Sequence, residues 1–169
     1  MFTTDGLVVY PAQGVGRIEG IDRQDIGGVT CEFYVVRIRT NNITLMLPVS
    51  NAAHVGLRPL VDRHVAQAVL DSLRTDTERS VHTGQNWNRR FREYSERLKS
   101  SDLSVVVEVL RELLLIGRGK ELSFGERRLQ EQAMNLVTGE LAEVLALSED
   151  ALREELLTLY APPPQPEES

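Results

Sequence analysis

The stretch Gln85-Asn86-Trp87-Asn88-Arg89-Arg90-Phe91-Arg92-Glu93-Tyr94 sets the only tryptophan of this 169-residue chain beside three arginines. Guanidinium groups keep their charge and meet phosphates as a planar fork, and a large flat ring can stack on bases, so the combination suits contact with nucleic acid. Read as a helix, Trp87, Phe91, Tyr94 and Leu98 recur at i, i+4, i+7 and i+11 and form one stripe. Arg89 and Arg92 then fall on roughly the opposite side, and Arg90 flanks the stripe. The same pattern also describes an ordinary amphipathic helix whose buried face begins at Trp87 and whose arginines are its wet side. Exposure of the ring separates the two readings.

Other chemistry finds no support in the spacing. Gly14-Val15-Gly16 is too short for a dinucleotide loop and no lysine follows as a phosphate-binding loop requires, so these read as turn glycines. His54, His64 and His82 lack the spacing of a metal site. Cys31 lies in an expected strand with no basic partner and reads as a small buried residue. No Ser/His/Asp order is present. We therefore expect a protein that is not an enzyme and needs no cofactor or metal.

Charge is unevenly distributed. The net charge of −6 argues against a general nucleic-acid binder, yet residues 78–99 carry six basic against three acidic residues. Residues 120–169 carry four basic against eleven acidic. An acidic chain with one basic patch suits a protein that touches DNA while another protein holds it there. A hydrophobic content of 41% suffices for a core. The single cysteine, the lack of a secretory leader and the lack of an apolar run of about 20 residues lead us to expect a soluble cytoplasmic protein.

The elements that must position the Trp87 stretch change character once along the chain. Leu7–Tyr10, Val15–Ile21, Cys31–Ile38 and Ile43–Pro48 read as strands separated by turns at Pro11–Gly14, Gly27-Gly28 and Asn41-Asn42. Alternation puts Tyr34, Val36 and Ile38 on one face, and Ile43, Leu45 and Leu47 inward with Thr44, Met46 and Pro48 outward. Pro48 prefers an edge strand. Several short strands in about 55 residues suggest a small bent sheet or barrel. After Gly56 the period becomes helical: Asp62 caps a helix carrying Val65, Val69, Leu70 and Leu73, and a polar loop at 74–85 enters the Trp87 helix. A third helix starts at Ser101 or Asp102. Ser123-Phe124-Gly125-Glu126 is a capping box for a fourth, and Ser148 caps a last. The fold class is thus α+β, a β half over 1–60 followed by about five helices over 61–160, with a disordered Pro-rich tail at 161–169.

Val9-Tyr10-Pro11 with Gly14-Val15-Gly16, Leu47-Pro48-Val49, Val55-Gly56-Leu57-Arg58, Asn86-Trp87-Asn88-Arg89-Arg90, Glu108-Val109-Leu110-Arg111 and Leu122-Ser123-Phe124-Gly125-Glu126 together resemble the CarD/CdnL family of bacterial transcription regulators. The resemblance spans nearly the whole chain and rests on the order and spacing of motifs that are weak singly. It implies a Tudor-like N-terminal module that docks on the RNA polymerase β subunit, and a helical domain that reaches promoter DNA at the upstream edge of the melted region. It also implies an exposed Trp87 wedged into the minor groove, Arg89, Arg90 and Arg92 on the DNA backbone without sequence specificity, and Arg23, Met46 and Pro48 on the polymerase. Some relatives carry arginine where this chain has Met46, which changes the electrostatic share of that contact. A monomer is expected. The competing expectation is a protein–protein adaptor whose helical half docks a second protein and whose basic patch is solvated surface.

Overall fold

The computed structural model describes residues 2–78 and 87–162. Strands β1 (Leu7–Tyr10), β2 (Gly14–Ile26), β3 (Val29–Ile38) and β4 (Thr44–Pro48) form one antiparallel sheet in sequence order. Its curl has local causes. The β2/β3 register slips between Ile18 and Gly20, a bulge that bends the strand. At Gly16 an added Cβ would stand 2.8 Å from Val36 Cγ1, so only glycine lets β2 approach β3 there. Beyond β4, the chain doubles back through a short helix, α1 (Ala52–Val55), which ends at Gly56 with φ of 90°. Val9 and Arg58 then pair through reciprocal backbone hydrogen bonds of 2.7 and 3.2 Å. The result is a curled, four-stranded half-barrel around Val8, Ile18, Tyr34, Val36, Ile38, Leu47 and Leu57.

The expected facing of Tyr34, Val36, Ile38 and Leu47 inward and Met46 outward is what the sheet displays. Ile43 differs: it precedes the β4 ladder, which starts at Thr44, and its side chain is exposed. Strand β2 also runs past the expected Ile21 to Ile26. Because β4 pairs only with residues 33–37 of β3, the tips of β2 and β3 project as a two-stranded arm, turned at Gly27 and Gly28 with φ of 60° and 82°. Cys31, on that arm, is half-buried instead of enclosed.

Five longer helices follow: α2 (Arg63–Thr75), α3 (Trp87–Arg97), α4 (Leu103–Gly119), α5 (Phe124–Leu145) and α6 (Glu149–Leu159). The starts of α2, α4, α5 and α6 are those the caps dictate. Asp62 accepts from the Val65 amide at 2.8 Å, Asp102 caps α4, Ser123 and Glu126 close a full capping box, and Ser148 accepts from Ala151. Helix α5 is central and touches α2, α3, α4, α6 and β2. Leu110, Leu113, Val137 and Leu141 are fully enclosed between α4 and α5, each stabilising the fold by about 1.5–3 kcal/mol. Tyr160 closes the bundle by donating its hydroxyl to the Leu73 carbonyl at 2.8 Å. In α2, Ala66, Leu70 and Leu73 face inward and the expected Val65 is exposed, because one position on a helix is about 100° from that stripe. Most of the expected loop at 74–85 and of the tail lies outside the described residues.

The two cores are joined by an ion pair whose carboxylate is buried. Arg58 grips Glu140 of α5 with both guanidinium ends, at 2.8 and 2.7 Å, and Glu140 also accepts from the Val61 amide at 2.9 Å. Arg58 donates its Nε to the Ser101 carbonyl as well. Glu140 is 2% exposed. Farther along α5, Arg39 pairs with Glu143.

Candidate functional site

Helix α3 turns Arg90, Tyr94 and Leu98 inward, an i, i+4, i+8 stripe. Trp87 sits three residues before Arg90, about 60° around the helix, and is therefore half-buried on the flank instead of fully exposed. Its indole lies against the first turn of α5: a Cβ at Gly125 would be 3.2 Å from Trp87 Cζ2. Phe91 meets it edge-on with centroids 5.6 Å apart and is itself exposed. Tyr94 goes under, where burial and a hydrogen bond to Glu112 raise its hydroxyl well above the usual tyrosine range.

The three arginines separate. Arg89 and Arg92 are exposed, Arg89 in an open i, i+4 pair with Glu93 at 3.5 Å. Such a pair is worth only ~0.3–0.5 kcal/mol and yields easily to a phosphate. Arg90, expected among the DNA contacts, is 7% exposed. Its Nη2 is 3.4 Å from a Glu126 carboxylate oxygen, and its guanidinium lies 5.2 Å from the Trp87 ring centroid. The reason is periodicity: Arg90 occupies the inward stripe with Tyr94 and Leu98, so it reaches solvent least of the three. Burial disfavours the ionised form of Glu126. Its hydrogen bonds with Ser123 and the charges of Lys120 and Arg90 outweigh that and hold the carboxyl below its usual range.

Phe124, the first residue of α5, completes the surface. It is 76% exposed and lines a shallow depression with Phe91, Ser95, Arg128 and Gln132. The sequence reading passed over it, although a signal was present. The apolar face of α5 begins at Leu129, about 140° from Phe124, so a phenylalanine there has no core to enter.

On the half-barrel, residues opposite each other in a ladder share a face, and the register aligns Val29 with Ile26, Val35 with Met46 and Phe33 with Pro48. These lie on one outer face, an apolar pair at the arm tip and an apolar group at the β4 edge, with Cys31 and the polar Gln24 and Asp22 between them. Val29 is 64% and Met46 46% exposed, while Phe33, Val35 and Pro48 are half-buried. Arg23 is not among them: it opposes Glu32 with an ion pair of 3.1 Å, on the reverse face shared with Tyr34. Among the described residues no cluster of His, Cys, Asp and Glu could hold a metal, and no helix is long and apolar enough to cross a membrane. His54 and His64 are both exposed.

Two family models match in order, the CarD-like/TRCF RID domain over residues 2–61 and the CarD C-terminal domain over residues 68–157, the latter alone covering more than half of the chain. The chain belongs to the CarD family. As a CarD-family protein it is a transcription regulator. It is similar to YdeB of Bacillus subtilis (strain 168), named as a candidate transcription factor, with 23% identity over 154 residues that span 90% of this chain and 98% of YdeB. Among solved structures it is similar to CdnLNt from Myxoccoccus xanthus, with 39% identity, coverage of 36% of this chain and 86% of that one, and a TM-score of 0.32. The motifs that carried the resemblance fall at structurally special points of this CarD fold: Gly16 at the close strand approach, Arg58 at the junction, Trp87 on the α3 flank and Glu126 in the capping box.

Proposed function

We propose that this CarD-family chain is a non-enzymatic, monomeric, cytoplasmic regulator that holds the RNA polymerase β subunit through its β half and steadies the open promoter complex through its helical half. In this reading residues 1–60 form the polymerase module, residues 61–160 form the DNA module, and the junction at Arg58 and Glu140 holds them together. The supporting observation is the surface at the α3/α5 corner, where Trp87, Phe91 and Phe124 stand beside exposed Arg89 and Arg92 on a chain that is acidic elsewhere. An apolar ring edge between phosphate-binding arginines suits a partly unstacked step in the minor groove at the upstream edge of the bubble. Arg89 and Arg92 position that edge on the backbone and read no bases. Arg90 acts beneath the ring. The exposure of Phe91 and Phe124 also suits an adaptor that docks a second protein, and salt separates the two readings.

With two phosphate contacts, the DNA-dependent part of complex stability should fall with salt at a log–log slope of about −2, and Arg89→Ala or Arg92→Ala should each reduce the slope by roughly one. Open-complex lifetimes with purified polymerase and the full chain, measured from low to moderate salt, check this. A salt-independent contribution would point to the adaptor.

The β half contacts polymerase, in the same reading, through Met46 and Pro48, with Val29 at the arm tip of the same outer face as an outlying contact. Arg23 joins that contact where the partner wraps around the arm. Met46 supplies adaptable apolar contact where some relatives have arginine. Met46→Glu and Pro48→Arg are each expected to weaken binding to polymerase by about 1–2 kcal/mol, and Val29→Asp to do so more mildly. Titration of the full-length variants against polymerase reads the effect, and unaltered affinity in all three would move the interface elsewhere.

A further inference from the structure

We propose that Glu126 and Arg90 form a positioning relay that holds the Trp87 indole, so that Arg90 acts under the ring as a positioning residue and not on a phosphate. The proposal rests on the reading of Trp87 as the DNA-contacting ring, and it adds two residues that never touch the DNA.

The geometry is continuous from the helix end to the ring. Glu126 occupies the third position of α5, where its carboxylate accepts from the Ser123 amide at 3.0 Å and its own amide donates to the Ser123 hydroxyl at 3.2 Å. These bonds set where the carboxylate sits, and it is 2% exposed. A second oxygen faces Arg90 Nη2 at 3.4 Å, and Lys120 Nζ lies 3.7 Å from the first. A guanidinium this deeply placed needs a paired carboxylate, because an uncompensated charge there is strongly unfavourable. Arg90 thus cannot swing out to solvent without abandoning Glu126. Held in place, its flat guanidinium stands 5.2 Å from the Trp87 ring centroid, a cation–π arrangement that arginine makes better than lysine. The opposite constraint comes from the same turn of α5: Gly125, next to Glu126, leaves room for Trp87 Cζ2, and any Cβ there would press on the indole at 3.2 Å. One helical turn therefore supplies both the floor for the ring and the anchor for the cation that holds it. The relay also accounts for glycine and glutamate side by side after an exposed phenylalanine. Gly125 admits the ring, Glu126 fixes the arginine, and Phe124 is left on the surface.

A phosphate contact and a positioning residue respond differently to substitution. Arg90→Met removes a charge, so a phosphate contact at this position would reduce the log–log salt slope of open-complex stability by about 0.9. The relay predicts an unchanged slope with a lifetime shortened roughly fivefold, the low end of what loss of ring stacking gives. Trp87 is the sole tryptophan, so its emission reads its placement directly in the full-length protein without DNA. Glu126→Gln retains an N3 side chain able to complete the capping box. The double variant Arg90→Met with Glu126→Gln leaves no unpaired buried charge, which keeps the fold testable where a single variant melts. Both should shift Trp87 emission to the red and raise its quenching by acrylamide. Arg90→Lys should fall between them and the unmodified protein. Wild-type emission and quenching in a folded double variant would overturn the relay, and so would a lower salt slope in Arg90→Met. If the fluorescence changes occur but Trp87→Ala itself leaves open-complex lifetime unaltered, the relay stands as a holder of the ring and the DNA reading of Trp87 is what fails.

Discussion

Replacing Trp87 with alanine is expected to quicken decay of the open promoter complex by about five- to over a hundredfold, the kinetic equivalent of losing a stacking contact of roughly 1–3 kcal/mol. The ring is half-buried against Gly125 and Phe91, so the substitution also costs some stability, but less than the ~3–5 kcal/mol of a fully enclosed tryptophan. Polymerase binding, proposed above for the β half, should be unchanged. Phenylalanine at this position should restore part of the lifetime by keeping an apolar edge over a smaller π face. Melting and open-complex decay measured on the same variant distinguish the outcomes. A loss of lifetime with a near-normal melting temperature supports the wedge. A large fall in melting temperature, or an unaltered lifetime, ends it.

Arg58→Ala is expected to destabilise the whole chain by about 3 kcal/mol or more, because it strands the Glu140 carboxylate in a site from which water is excluded. For a chain of this length that corresponds to a fall in melting temperature of roughly 6–12 °C. The Val61 amide still donates to Glu140, and Arg58 is itself partly wet, which sets the effect at the lower end of the range for buried pairs. Arg58→Lys should recover only part, since an ammonium cannot occupy both carboxylate oxygens in the plane of a fork. Glu140→Gln should cost less than Arg58→Ala, because the arginine left behind can turn toward solvent. Thermal unfolding by circular dichroism checks the order. A change of less than about one degree in Arg58→Ala would show that the two cores hold together without this pair.

Much of the local structure was legible in the sequence because it has local causes. The capping box at Ser123, the caps at Asp62, Asp102 and Ser148, and the glycine turn at 27–28 are decided by residues within a few positions of one another. The alternation through Tyr34, Val36 and Ile38 likewise required only the pleat. Where the reading departed from the structure, longer-range geometry was responsible. Ile43 continues the alternation of Leu45 and Leu47 but lies before the point where β4 begins to pair, so its side chain is free of the pleat and exposed. Cys31 has the pattern of an enclosed strand residue, but the sheet projects there as a two-stranded arm. Val65 looked like core until the stripe Ala66, Leu70, Leu73 set which side of α2 faces α5.

The candidate site divides in the same way. Composition and spacing alone determined that an acidic chain carries one aromatic and basic segment, that this segment is helical, and that a β half precedes a helical half, because charge and periodicity are properties of neighbouring residues. Tertiary structure decided the rest. It buried Arg90 and left Arg89 and Arg92 outside, since the inward stripe of α3 depends on how that helix lies against α4 and α5. It brought Phe124, Gly125 and Glu126 up to Trp87 from 37 or more positions away, and Glu140 up to Arg58 across 82 residues. It also set Arg23 on the reverse face from Met46 and Pro48, through a register that no single strand contains. Each of these outcomes is a contact between surfaces whose relative placement is chosen by the packing of the whole core, and no local pattern encodes it.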